Sequence, residues 1–127
     1  MIIGIPRSRV ADEHRVALPP RAAAELTARG HEVHVEVRAG LGAGFTDEQY
    51  EQAGARIAHS AEEIWGRADM VVKVGKPQPD EYPFVREGQI LASVMNLAAA
   101  ERGLIELLVE RRCLALDFVT IQDDNGN

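Results

Sequence analysis

Cysteine is almost absent from this chain: Cys113 stands alone among 127 residues. A single thiol builds neither an internal disulfide framework nor a cysteine-rich zinc site, and it fits a reducing, cytoplasmic setting. Long apolar runs are missing too. The nearest, Ile90 to Ala100, is interrupted by Ser93 and Asn96 and falls well short of the ~20 residues a spanning helix needs, so no membrane insertion is expected. The opening run from Met1 to Pro6 has no basic lead and ends at a proline, which is not the pattern of a signal peptide. Positive charge is in deficit, with 14 Lys and Arg against 20 Asp and Glu and a net charge of −6. That balance argues against a nucleic-acid footprint, which normally shows clustered basic residues in excess. Small molecules or other proteins are the expected partners.

What is present is an ordinary globular composition, 46% hydrophobic and 27% charged, too apolar for intrinsic disorder. At roughly 100 to 200 residues per domain the chain holds one domain, residues 1–127, or part of one. Short β-branched runs alternate with longer Ala/Leu/Glu-rich stretches, the pattern of βα units stacked into a mostly parallel sheet. Strands are predicted at Ile2 to Ile5, Glu32 to Val37, Met70 to Val74, Gln89 to Val94 and Cys113 to Val119, with a weak extra one at Arg56 to Ala58. Several are apolar on both parities, as strands covered by helices on both faces should be, which makes three layers. A first helix should open at Pro19-Pro20 and stop at Gly30, with Ala22, Ala23 and Leu26 toward the sheet. Thr46-Asp47-Glu48-Gln49 and Ser60-Ala61-Glu62-Glu63 both read as capping boxes. Leu104, Leu107 and Leu108 give the stretch from Ala99 to Arg112 a core-facing side, with Arg111 and Arg112 at its negative pole. The chain closes on Asp123-Asp124-Asn125-Gly126-Asn127, a turn signal that would lead into another element. A fragment or split subunit and a natural stand-alone domain both remain open.

Four segments carry candidate chemistry. Gly40-Leu41-Gly42-Ala43-Gly44-Phe45 lies between a strand and a helix, where a phosphate-cradling turn would sit, but Phe45 occupies the place of the last glycine of a dinucleotide fingerprint. A turn needing positive φ is the preferred reading, and no NAD site of the chain's own is expected. Asp12-Glu13-His14-Arg15 follows the first strand, at the sheet end where open α/β folds bind ligands. Arg15, beside Val16-Ala17-Leu18, could be held against an apolar rim and offered to a carboxylate in two parallel hydrogen bonds; a surface ion pair is the alternative. The only two lysines lie in Val71-Val72-Lys73-Val74-Gly75-Lys76-Pro77. Strand alternation sends them to opposite faces unless Gly75 bends the chain, and the plain expectation for each is a solvated charge. Asn96 closes another strand at the same edge and needs partners for its amide, from a ligand or from backbone. His31 and His34 have opposite parity and cannot share a metal, and Cys113 is expected to pack in the core. Neither a metal site nor a nucleophile–base pair is expected.

Read together, Met1-Ile-Ile-Gly-Ile-Pro6, Arg15-Val-Ala-Leu18, Arg29-Gly-His-Glu-Val33, Ala39-Gly-Leu-Gly-Ala-Gly-Phe45, Ala53-Gly-Ala55, Ala68-Asp-Met-Val-Val-Lys-Val74 with Pro77, and Gly88-Gln-Ile-Leu91 resemble the N-terminal domain of the alanine dehydrogenase and pyridine nucleotide transhydrogenase family. The resemblance runs along essentially the whole chain. It implies a Rossmann-like domain that supplies the substrate half of an active cleft, with NAD(H) held by a separate domain in cis or in trans, and it suggests a homo-oligomer. In alanine dehydrogenases an arginine matching Arg15 and a lysine of the Lys-Val-Lys-x-Pro strand hold the keto acid, and a later histidine acts in acid–base chemistry. Here Gly75 stands at that lysine position, with Lys76 one place along, and Asn96 stands at the histidine position; a neutral amide cannot shuttle a proton. The resemblance therefore implies substrate binding by Arg15, Lys76 and Asn96, no catalytic residue and no activity by this chain alone. Two readings follow: the substrate-side domain of such an oxidoreductase, or a non-catalytic ligand-binding or interaction module derived from it. Asp117-Phe-Val-Thr-Ile-Gln-Asp-Asp-Asn-Gly126 looks more like the dehydrogenase ending than the transhydrogenase one.

Overall fold

Short runs of Ile and Val form strands because branched side chains pack well on a pleated surface. A computed structural model, describing residues 1–93 and 102–117, places six such strands in one sheet: β1 (Ile2–Ile5), β2 (Glu32–Glu36), β3 (Arg56–Ala58), β4 (Met70–Val72), β5 (Ile90–Ser93) and β6 (Leu114–Asp117). All five pairings are parallel and the order is β3-β2-β1-β4-β5-β6. The weak strand at Arg56 is therefore real, and it forms one edge. Helices α1 (Pro20–Ala28), α2 (Asp47–Gln52), α3 (Ala61–Arg67) and α4 (Arg102–Glu110) alternate with the strands.

The register explains the three layers. Ile3 pairs with Val33, Ile5 with Val35 and Val72 with Ala92, and this parity packs against Ala23 and Leu26 of α1 and Tyr50 of α2. The opposite parity, with Val71 and Leu91, packs against Trp65 of α3 and Leu104 and Leu108 of α4. Gly4 belongs to that second face. A Cβ there would lie 2.8 Å from the Ala68 Cβ and the Ile64 Cγ2, so only glycine lets α3 sit this close to β1.

Local signals behave as their chemistry dictates, with two corrections. Pro20 opens α1, and Gly30 follows it at φ 91°. The Thr46 capping box is complete, since the Gln49 N–H donates to Thr46 Oγ1 and the Thr46 N–H to Gln49 Oε1. At Ser60 only half of the box forms: the Glu63 N–H reaches Ser60 Oγ, but the Glu63 carboxylate accepts from His59 instead. The arginines expected at the end of α4 lie beyond it. Arg112 takes a left-handed φ of 53°, and the Arg111 guanidinium donates to the Val85 carbonyl, so it fastens a loop in place of capping a dipole.

Candidate functional site

The strand order reverses between β1 and β4, and the crevice beyond the carboxyl ends of two such strands is where open α/β sheets take ligands. Three segments leave the sheet there: residues 6–19 after β1, residues 37–46 after β2 and residues 73–78 after β4. Glu36, the buried last residue of β2, accepts the Arg7 N–H at 3.1 Å. Burial pushes its carboxyl above the usual range, opposed by that bond and by the charges of Arg9 and Arg7. Arg9 pairs with Asp80 at 3.7 Å, joining the β1 loop to the short helical turn Pro79–Phe84. A cavity of about 290 Å³ lies among Arg7, Ser8, Arg9, Glu36 and Asp80.

Beside it a second cavity, of about 220 Å³, is walled by Arg7, Glu13, His14, Arg15, Arg38 and Gly42 among others. Arg15 is not laid on an apolar rim; its side chain is 77% exposed and is gripped by the chain's own Glu13. Arg15 Nε donates to Glu13 Oε1 at 3.0 Å, Nη2 to Oε2 at 2.9 Å, and the Arg15 N–H to Oε1 at 2.9 Å. The side-chain bond from Arg15, then its backbone bond, lower the Glu13 carboxyl to about 2, so it is an anion throughout the neutral range.

The glycine-rich turn shapes this wall. Residues Leu41–Ala43 form one short 3₁₀ turn closed by Gly44 at φ 89°, the positive φ that the sequence calls for. Gly42 has a further role: a Cβ would lie 3.0 Å from the His14 backbone, so its absence lets the turn rest on the loop carrying Arg15. The turn after β1 does not have the form of a dinucleotide fingerprint. A fingerprint turn leads from the strand straight into a helix whose first N–H groups face the pyrophosphate. Here residues 6–19 intervene, and α1 opens on Pro19 and Pro20, which have no N–H to offer.

The lysines separate. Lys73 corrects the expectation of a solvated charge: it is buried and bonded to both carboxylate oxygens of the fully buried Glu81, at 3.0 and 3.2 Å. Glu81 also accepts the Gln78 N–H at 2.9 Å, so the pair fixes the segment after β4. Lys76 is half-buried, its carbonyl accepting from Gln78 Nε2, and it is not among the residues walling the Arg15 cavity. Asn96 lies outside the described residues. Sequence reasoning missed Arg7 and Arg38. Each lies two residues beyond the end of its strand, and β1 and β2 are parallel neighbours; pairing those strands would have placed the two arginines at one edge.

The rest of the surface offers less chemistry. A larger cavity, about 410 Å³, lies between α4 and the start of β6 among Ile105, Leu108, Val109, Arg112, Cys113 and Ala115. It is at the other end of the sheet, and burial pushes the half-buried Cys113 thiol up, away from nucleophilic use. Among the described residues no three His, Cys, Asp or Glu groups are placed to hold a metal ion, and no helix is long and apolar enough to cross a membrane.

Comparison with known proteins agrees with this architecture. The family model for the alanine dehydrogenase/PNT N-terminal domain matches residues 4–127. The alanine dehydrogenase of Bacillus subtilis is 42% identical over 123 residues, covering 97% of this chain and 32% of that protein. Alanine dehydrogenase of Mycobacterium tuberculosis is 38% identical over 126 residues, 99% of this chain and 34% of that protein. A solved L-alanine dehydrogenase superposes with a TM-score of 0.95 at 41% identity, covering 100% of this chain and 35% of that one. A transhydrogenase from Sinorhizobium meliloti gives 0.87 at 27% identity, covering 98% and 36%. The chain thus spans about a third of the length of the curated relatives it matches. With the six-stranded parallel sheet and a family match over nearly all of its residues, this chain belongs to the alanine dehydrogenase and pyridine nucleotide transhydrogenase family, as its N-terminal domain.

Proposed function

We propose that this chain is the substrate-side domain of an NAD(P)-dependent oxidoreductase of the alanine dehydrogenase or transhydrogenase type, incomplete by itself, and that it holds a small keto or amino acid by its carboxylate. The observation that carries the reading is the Arg15–Glu13 chelate at the switch-point edge. A guanidinium fork that already grips one carboxylate in two parallel bonds has the geometry to grip another. Substrate binding is then an exchange, in which the incoming carboxylate displaces Glu13 from Arg15. Asn96 is the further contact, contributing a neutral hydrogen bond; Lys76 does not wall the Arg15 cavity and is left out of the site. The nicotinamide cofactor is held by a second domain, in cis or in trans; the missing dinucleotide fingerprint and the Pro19-Pro20 start of α1 support this reading. Exposed Ile105, Val109 and Leu114 along α4 and β6 support self-association or cover by such a domain. They equally suit the second reading, a module that kept the cleft without its chemistry.

Calorimetric titration tests this. Pyruvate or alanine should bind the 127-residue chain, and Arg15→Ala should weaken binding by on the order of 1.5 to 3 kcal/mol, well beyond the effect of Asn96→Ala. NAD should bind weakly or not at all. Equal losses in the two variants would show that the site is misassigned, and no binding of either acid would favour the interaction module.

A further inference from the structure

The loop after β1 is tied together around one ion pair. A chain of local bonds runs through it: the Val10 N–H donates to Ser8 Oγ at 3.3 Å, the Glu13 N–H to the Val10 carbonyl at 3.2 Å, and the Arg15 N–H to Glu13 Oε1 at 2.9 Å. Val10 to Glu13 is thereby a tight turn. Its third residue, Asp12, holds a left-handed φ of 67°, which glycine takes at less cost. The loop also rests on the glycine turn, where a Cβ on Gly42 would lie 3.0 Å from the His14 Cα and carbonyl oxygen. Residues 12 and 14 are thus fixed on either side of Glu13, whose carboxylate meets both Nε and Nη2 of Arg15. The pair is lopsided. The Glu13 side chain is 19% exposed and that of Arg15 77%, so an acid in solution reaches the guanidinium without first opening the loop.

We propose that Glu13 is an autoinhibitory latch, an internal competitor that occupies the fork of Arg15, so that an acid binds only in the fraction of molecules whose latch is open. The inference rests on the reading of Arg15 as the carboxylate receptor and names what regulates that site. The competitor is tethered two residues from Arg15, at a local concentration that dilution does not lower. Apparent affinity is then the intrinsic affinity reduced by the open fraction. Exposed ion pairs are weak, and a bidentate one lies at the strong end of their range, a closed-to-open ratio of up to about five. The latch also selects among anions. A planar carboxylate regains both parallel bonds that Glu13 gives up, whereas a ligand presenting one oxygen regains only one.

Pyruvate titrated calorimetrically into wild type, Glu13→Gln and Glu13→Asp tests the latch. Gln keeps an acceptor for the Arg15 N–H and loses the charge, while Asp keeps the charge and is one carbon too short to bridge the fork. Both variants should bind pyruvate about three- to six-fold tighter than wild type. In NMR spectra the Arg15 Nε–H should exchange slowly with water in wild type and fast in both variants, and pyruvate should slow it again. Circular dichroism should show all three proteins folded alike. Tightening in Glu13→Gln without tightening in Glu13→Asp would assign the effect to plain repulsion between Glu13 and the acid. Equal affinity in all three, or weaker binding by the variants, would make Glu13 a support for Arg15. Each of these results overturns the latch and leaves the proposed function standing. Binding by the variants but not by wild type would support a tighter latch of the same kind. If none of the three binds pyruvate, the proposed function fails first and the latch with it, having nothing to admit.

Discussion

Glu81→Leu is the perturbation whose cost can be worked most directly from the structure. Glu81 is 0% exposed and Lys73 is 6% exposed, with two bonds between them. Removing the carboxylate strands an ammonium in the interior, which costs about 3 to 5 kcal/mol. The Gln78 N–H loses its acceptor too, adding on the order of 1 kcal/mol. Against a total stability of roughly 5 to 15 kcal/mol for a domain, that is about a quarter or more of what holds the chain folded. The double variant Lys73→Met with Glu81→Leu removes both charges and keeps the volume filled, so it should recover to within about 1 kcal/mol of wild type or exceed it. Urea unfolding at pH 7 reads this as a fall in midpoint at unchanged m for the single variant and its recovery in the double. A loss below about 1 kcal/mol in Glu81→Leu, or a double variant as unstable as the sum of the singles, would refute the account of this pair as mutually dependent.

Three further outcomes are expected. Gly4→Ala forces a Cβ against Ala68 and Ile64 at 2.8 Å and should cost about 1 to 3 kcal/mol by overpacking, read as a lower thermal midpoint by circular dichroism; an unchanged midpoint would mean α3 shifts freely. Gly75→Lys should fold as well as wild type, because a Cβ there meets nothing within 4 Å, and should strengthen pyruvate binding by adding a cation after β4; a large stability loss would show that Gly75 is needed for the backbone. His34 is buried, and burial holds its imidazole below the ordinary 6.5. The unfolded chain therefore takes up that proton first, so stability is unaffected at pH 8 and falls as pH drops through about 6.5; His34→Leu should flatten this limb of the urea midpoint against pH, and an equally steep limb would assign it to other groups.

Much of the fold was legible because it is set by local chemistry. Pro20, Gly30 and the Thr46 box fix helix ends through the N–H and C=O groups of one or two turns, and the apolar runs of Ile in β1 and the alternating Val33 and Val35 in β2 mark them as buried strands. Details departed where a side chain found another partner: Glu63 took the N–H of His59, one residue before its cap, and Arg111 turned to the distant Val85 carbonyl, which its own helix could not reveal.

The site was half legible. Sequence alone determined that an arginine stands in a polar loop after the first strand, that a glycine turn with positive φ follows the second, and that no dinucleotide fingerprint accompanies them. Only the tertiary structure decided what these residues do together. The order β3-β2-β1-β4 brings Arg7, Arg15 and Arg38 to one cavity from loops distant in the chain. The same packing buries Lys73 on Glu81, and the fold of the β1 loop puts the Glu13 carboxylate on Arg15 before any ligand arrives. Charges are read singly from a sequence, whereas their pairing depends on which surfaces the packed sheet and loops remove from water.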